Sequence, residues 1–278
     1  SRPIILAILS VMCIASMGGG FAVLPVVIAK GNLFIFIQEF VYIQFTGVLD
    51  YFYTASEECL PGGPNFSYSY YQSLGNIIAN LAGFAGTIVF QKFFQKGTFR
   101  FVFWCTTFMK IAASAFDIVI VKRWNVDAGI PDKAAYIFGD AIVYQLTTML
   151  DFMPSVVLNS RLCPKGMEAT IYALLAGVSN FGQVSSRTIG YMVSEWLEIR
   201  TVVPCDFTNL PYLIIIGHML MPLLLLPLTV LLLPPHRINE PVTGIEDRDP
   251  DPAPKTMPRE VGGKHAAGEG SDDEDNMS

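Results

Sequence analysis

Charge is scarce in this sequence. Asp, Glu, Lys and Arg together make up 15% of 278 residues, against about 25% in ordinary globular chains. Histidine is rarer, with three residues, and His236 and His265 stand too far from other ligand types to form a metal site. No Gly-rich phosphate loop and no nucleophile–base arrangement can be found, so the sequence predicts neither an enzyme nor a bound cofactor or metal. It also has no basic patch of the kind that holds nucleic acid. What remains is apolar: 52% of the residues are hydrophobic, which predicts an all-α integral membrane protein.

The charge is unevenly placed. Residues 1–233 carry equal numbers of acids and bases, whereas 234–278 carry 11 acids and 5 bases, the whole net charge of −6. That tail, with "DRDPDPAPK" and "SDDEDNMS", has the composition of a disordered segment, and Ser271 precedes four acids. Seven apolar stretches reach spanning length, near 4–29, 33–53, 71–91, 101–121, 136–160, 169–193 and 211–233. The first starts close to Ser1, and the chain reads as a fragment or processed product. Pro25, Pro154, Pro222 and Pro227 are expected to kink their helices.

Lys and Arg in short loops set orientation. Lys30, the three bases of 92–100 and the two of 161–168 fall on one side with the tail; the opposite loops carry four bases. The bias places the tail in the cytoplasm. The outer loops then hold the glycosylation triplet at Asn65 and two cysteines, Cys59 and Cys205, in a compartment where disulfides persist.

A charge inside a span costs about 2.5–3.5 kcal/mol on insertion scales and needs a partner or a wet cavity. The spans contain Glu39, Asp50, Lys110, Asp117, Asp140, Asp151 and Arg187. Eleven residues bring a helix round to within about 20° of its start, so Asp140 and Asp151 share a stripe with Tyr144 and Thr148. Lys110 and Asp151 are each nine residues from one end of their spans, about 14 Å deep, and opposite in sign. Asp50, Asp117, Asp140 and Arg187 form a second layer near the other surface. Asn76, Asn80 and Asn180 are expected to bond between helices or to touch substrate.

Several strings, "LDYFYTASEECLPGGPNFSYSYYQSLG", "FQKFFQKGTFRFVFW", "GDAIVYQLTTMLDFMPSVVLNSRLCPKGMEATIYALLAGVSNFG" and "SRTIGYMVSEW", resemble the folate–biopterin transporter family, its kinetoplastid branch most closely. The resemblance runs from about Leu33 to Arg237. It implies a major facilitator architecture, in which two six-helix halves enclose a central cavity. Residues 1–32 would then hold helix 6 of such a carrier and a short connection, 33–233 the six-helix C-terminal half, and 234–278 the tail; the N-terminal half would be absent. It further implies transport of folate or biopterin, driven by protons, across a membrane, the plasma membrane first. Helices 7 and 10 of that architecture line the cavity, which assigns Glu39, Asp50, Asp140 and Asp151 to it. Asp151 becomes the first choice of proton site and Asp140 the second. Arg187 and Lys110 become anchors for anionic folate, with Arg187 close enough to pair with Asp50 or Asp140. Tyr144, Asn76 and Asn80 suit neutral biopterin. Packing of helices 7 and 11 would bring Cys59 and Cys205 together. Two alternatives stay open: a carrier of another solute such as S-adenosylmethionine, and a seven-helix receptor, although the receptor's Asn-Pro-x-x-Tyr pattern is missing from 211–233.

Overall fold

An apolar chain in lipid has no water to satisfy its backbone, so its spanning segments must close their hydrogen bonds internally. The computed structural model describes residues 2–163 and 168–240, and among these it is helical, with two isolated bridges and no strand. The helices are α1 (Arg2–Val23), α2 (Val26–Val41), α3 (Thr46–Thr54), α4 (Ser69–Phe94), α5 (Phe99–Val121), α6 (Asp132–Leu162), α7 (Glu168–Trp196) and α8 (Leu210–Leu232). A single turn, Trp124–Asp127, joins α5 to α6. Four of them, α4, α5, α6 and α8, are long and apolar enough to cross a membrane. The chain is an all-α integral membrane protein. The tail after residue 240, with Ser271 and His265, lies outside the described residues.

Two expected spans are corrected. The stretch 4–29 is not one helix: α1 stops at Val23, and Pro25 adopts an extended backbone (φ −50°, ψ 139°). Proline has no N–H to continue the ladder and pushes the residue before it out of the helical region. Lys30 and residue 32, expected in a connection, therefore sit inside α2. The stretch 33–53 is interrupted as well: α2 ends at Val41, and α3 starts at Thr46. Pro154 is accommodated within α6, whereas Pro222 opens a 3-10 turn inside α8.

Two packing groups form. α2 lies against α7 and α8, while α4 and α5 each pack on α6. Lipid tails are as apolar as leucine, so tight helix pairing depends on small residues that let backbones approach. α7 supplies Gly182, Ser186 and Gly190, four residues apart, on the face toward α2 and the residues that follow it. A Cβ at Gly182 would come within 2.8 Å of the Phe36 carbonyl oxygen, and one at Gly190 would overlap that of Gln44. Two buried clusters lie at opposite ends of the bundle. One holds Phe34, Phe99, Phe103, Leu150 and Leu158; the other holds Phe52, Tyr53, Phe66, Tyr136 and Phe207. At the second end, the loops after α3 and α7 are joined by a Cys59–Cys205 disulfide, with Cα atoms 5.1 Å apart. Asn65 is exposed in the first of these loops.

Candidate functional site: a charged cavity between the helices

Between the two clusters lies a cavity of about 550 Å³, to which α2, α3, α4, α5, α6, α7 and α8 all contribute. The α6 stripe read from the sequence faces it: Asp140, Tyr144, Thr148 and Asp151 are all lining residues. The acids on this greasy helix thus face a polar cavity.

At the end away from the disulfide, Lys110 of α5 and Asp151 of α6 form an ion pair, Nζ to Oδ2 at 3.3 Å. Asp151 is 6% exposed, and such burial of a carboxylate is tolerable only when its lone pairs are met. They are: Thr106 donates to Oδ1 at 2.9 Å, and Gln38 donates to Oδ2 at 3.3 Å. Ser155 fixes Gln38 by donating to its Oε1 at 2.7 Å. Lys110 also sits over the Tyr42 ring, 3.8 Å from its centroid, a cation–π contact. Glu39 lines the cavity nearby and is hydrogen-bonded by Ser179, at 3.4 Å, and by Gln183.

Midway, the α2–α3 chain is unwound at Tyr42–Phe45. Unwound backbone at membrane depth is tolerated where other groups satisfy it. His218 Nε2 lies 3.0 Å from the Ile43 carbonyl oxygen; a carbonyl only accepts, so that nitrogen carries the proton. The Ile43 N–H donates to the Gly217 carbonyl at 3.3 Å. The Ser186 hydroxyl accepts from the Gln44 N–H at 3.0 Å and donates to the Tyr42 carbonyl at 2.7 Å. The imidazole is stacked between Tyr42 and Phe45, each centroid 4.2 Å away.

At the disulfide end three carboxylates from three helices line the cavity: Asp50, Asp117 and Asp140. Asp50 accepts from the Tyr71 hydroxyl at 2.5 Å, and Asp117 accepts from that of Tyr53 at 3.3 Å. Asp140 accepts no hydrogen bond from a described residue. Tyr71 and Tyr136 pack with centroids 5.3 Å apart, and both line the cavity.

Comparison with known proteins places this geometry. Residues 2–251 match the BT1 family over most of the chain. The chain belongs to that family. It is similar to a "Folate-biopterin transporter" of Synechocystis, 33% identical over 198 residues, covering 70% of this chain and 39% of the relative. It is also similar to "Probable folate-biopterin transporter 6" of Arabidopsis thaliana, 30% identical over 191 residues (69% of this chain, 36% of the relative). "Folate transporter 1" of Plasmodium falciparum is 33% identical over 137 residues (49% and 26%). The chain therefore spans about two fifths of the length of the first two curated relatives. No solved structure matches it.

Within this family member, the structure rearranges several sequence-derived roles. Arg187 pairs with neither Asp50 nor Asp140; it is exposed and donates to Gln44 Oε1 at 2.8 Å. Asn76 does not bond across helices but to Gln72 on its own helix, and Asn80 likewise bonds to the Asn76 carbonyl at 2.8 Å. Of these, Asn76 lines the cavity, whereas Asn80 does not. Asn180 is exposed on α7 and is not among the cavity residues. Glu39, Asp50, Lys110, Asp140, Tyr144 and Asp151 all line it. Gln38, Thr106, Tyr71, Ser186 and His218 escaped the sequence reading. The signal for His218 was present: it is the one histidine inside an apolar span. For uncharged Gln38 and Thr106, composition gave none.

Proposed function

We propose that this chain forms the cavity-lining, C-terminal part of a twelve-helix carrier of folate and biopterin that is coupled to protons. α1 would correspond to helix 6 of the carrier, with the C-terminal six-helix bundle following it. The carrier would lie in the plasma membrane, with the acidic tail in the cytoplasm and the disulfide outside. The observation that carries this reading is the buried Lys110–Asp151 pair lining a cavity, in a family whose relatives are named as transporters of folate and biopterin.

The pair offers a way to couple two ions. Folate brings carboxylates, which compete with Asp151 for the Lys110 ammonium. An Asp151 that loses its cation in a site this buried takes up a proton in its place, because an unpaired buried charge is costly. Substrate and proton then load together. Re-forming the ion pair expels both as the two halves rock about the site. Glu39, near the pair and held by Ser179 and Gln183, is placed to pass the proton on.

Uptake of labelled folate and biopterin into vesicles holding the intact protein that carries this chain tests the reading, with and without an inward proton gradient. Saturable accumulation that collapses with the gradient supports it; uptake indifferent to the gradient removes proton coupling. The three acids at the disulfide end also suit a cationic solute, so labelled S-adenosylmethionine belongs in the same assay. Its accumulation in place of folate and biopterin would replace this substrate assignment.

A further inference from the structure

The disulfide end of the cavity holds carboxylate oxygens that no described residue meets. Asp117 is 3% exposed, yet its Oδ2 receives no hydrogen bond from a described residue. Asp140, facing the same space, receives none on either oxygen. Among the described lining residues Lys110 is the sole lysine or arginine, and it is bound to Asp151 at the opposite end. Arg187 is turned to Gln44. At this end the described residues provide acceptors and no cationic side chain, beside aromatic walls from Tyr71, Tyr136 and Tyr144.

Acceptors that line a cavity without a protein donor suit a ligand that brings donors. A carboxylate accepts best from two parallel N–H groups on one planar edge. The adjacent 2-amino and N3–H groups of a 2-amino-4-oxopteridine form such an edge on a flat ring, and a flat ring can stack against tyrosine. We propose that Asp140 anchors the pterin ring of the substrate through this edge. The assignment rests on the folate and biopterin reading above and fixes the orientation of the ligand. Asp140 and Asp151 are eleven residues apart on one helix, about 16 Å. A pteroylglutamate lies along the α6 stripe with its pterin at Asp140 and its glutamate at Lys110. Biopterin, which has no glutamate, uses the Asp140 end alone.

The test is equilibrium binding to the purified intact protein, with labelled biopterin displaced by pterin or by lumazine. Lumazine carries an oxygen in place of the 2-amino group and so sets an acceptor against the carboxylate. A site built to bond a donor rejects an analogue that lacks it, so the wild-type protein should prefer pterin by about tenfold or more. In Asp140→Asn, which offers one donor and one acceptor, that preference should fall to within about threefold or invert. Asp140→Glu should recover part of it. Direct binding of labelled p-aminobenzoylglutamate, which has no pterin, should be unchanged in both variants and shows that they are folded. A wild-type protein that takes lumazine as well as pterin overturns the anchor, whatever the variants do. So does a folded Asp140→Asn that keeps the pterin preference; in both cases the carrier reading still stands. A wild-type protein that binds neither biopterin nor folate overturns that reading instead.

Discussion

His218 Nε2 lies 3.0 Å from the carbonyl oxygen of Ile43, so a histidine on α8 fills the place that a helical N–H would take in the gap between α2 and α3. Tyr42 and Phe45 close over its ring from both sides. The cavity-lining chain is thus held open at one point by groups from α7 and α8.

Loss of that donor should destabilise the bundle. A buried carbonyl left unmet costs about 1–3 kcal/mol. His218→Phe keeps the stacking and removes the hydrogen bond, whereas His218→Gln keeps a donor. Thermal unfolding in detergent, followed by size-exclusion fluorescence, should rank wild type above Gln and Gln above Phe. A His218→Phe protein as stable as wild type means that water or rearrangement serves Ile43 equally well.

The Lys110–Asp151 pair should separate coupling from binding. Asp151→Asn mimics the protonated acid. It should abolish accumulation driven by a proton gradient and leave counterflow exchange intact. Lys110→Met removes the cation, and loss of a buried charged partner costs about 2–5 kcal/mol. Folate affinity should fall at least tenfold by that figure, and biopterin affinity much less. Gradient-driven accumulation by Asp151→Asn at the wild-type rate would place the proton site elsewhere, with Asp140 next in line.

Stability should respond to the same pair in a different pattern. Breaking a buried ion pair from one side costs about 3–5 kcal/mol, whereas replacing both partners by apolar groups is often neutral. Asp151→Leu with Lys110→Met should therefore melt above either single change while remaining inactive. A double variant less stable than both singles would mean that Thr106 and Gln38, left without their carboxylate, dominate the balance.

The disulfide should matter for folding more than for transport. Cys59 and Cys205 lie 146 positions apart in sequence, and cross-links are typically worth about 2–4 kcal/mol, mainly by restricting the unfolded chain. Peptide mapping without reductant should recover the bridged pair. Reductant should lower the melting temperature of wild type and leave that of Cys205→Ser unchanged. Full alkylation of both thiols without reductant disproves the bridge.

Two glycines of α7 make a matched control. Gly190→Ala pushes a methyl into the Gln44 carbonyl, and overpacking of this kind costs about 1–3 kcal/mol. Gly177 has nothing within 4 Å of an added Cβ, so Gly177→Ala should be neutral or gain up to about 1 kcal/mol from helix propensity. Equal melting temperatures for the two variants would show that α7 and the unwound segment have room to separate.

The sequence by itself determined that the chain is helical and membrane-embedded, because charge scarcity and spanning-length apolar runs leave lipid as the environment and the helix as its backbone solution. It also determined the α6 stripe, since helical period alone puts Asp140, Tyr144, Thr148 and Asp151 on one side. Depth counted along two spans matched Lys110 with Asp151 for the same reason: rise per residue is fixed. Only the tertiary structure decided which way Arg187 turns, because a long side chain reaches several partners and packing selects among them. It alone showed the gap at Tyr42–Phe45. No proline or glycine marks that break; Ser186, Gly217 and His218, more than 140 residues away in sequence, supply the hydrogen bonds that an unbroken helix would have made for itself.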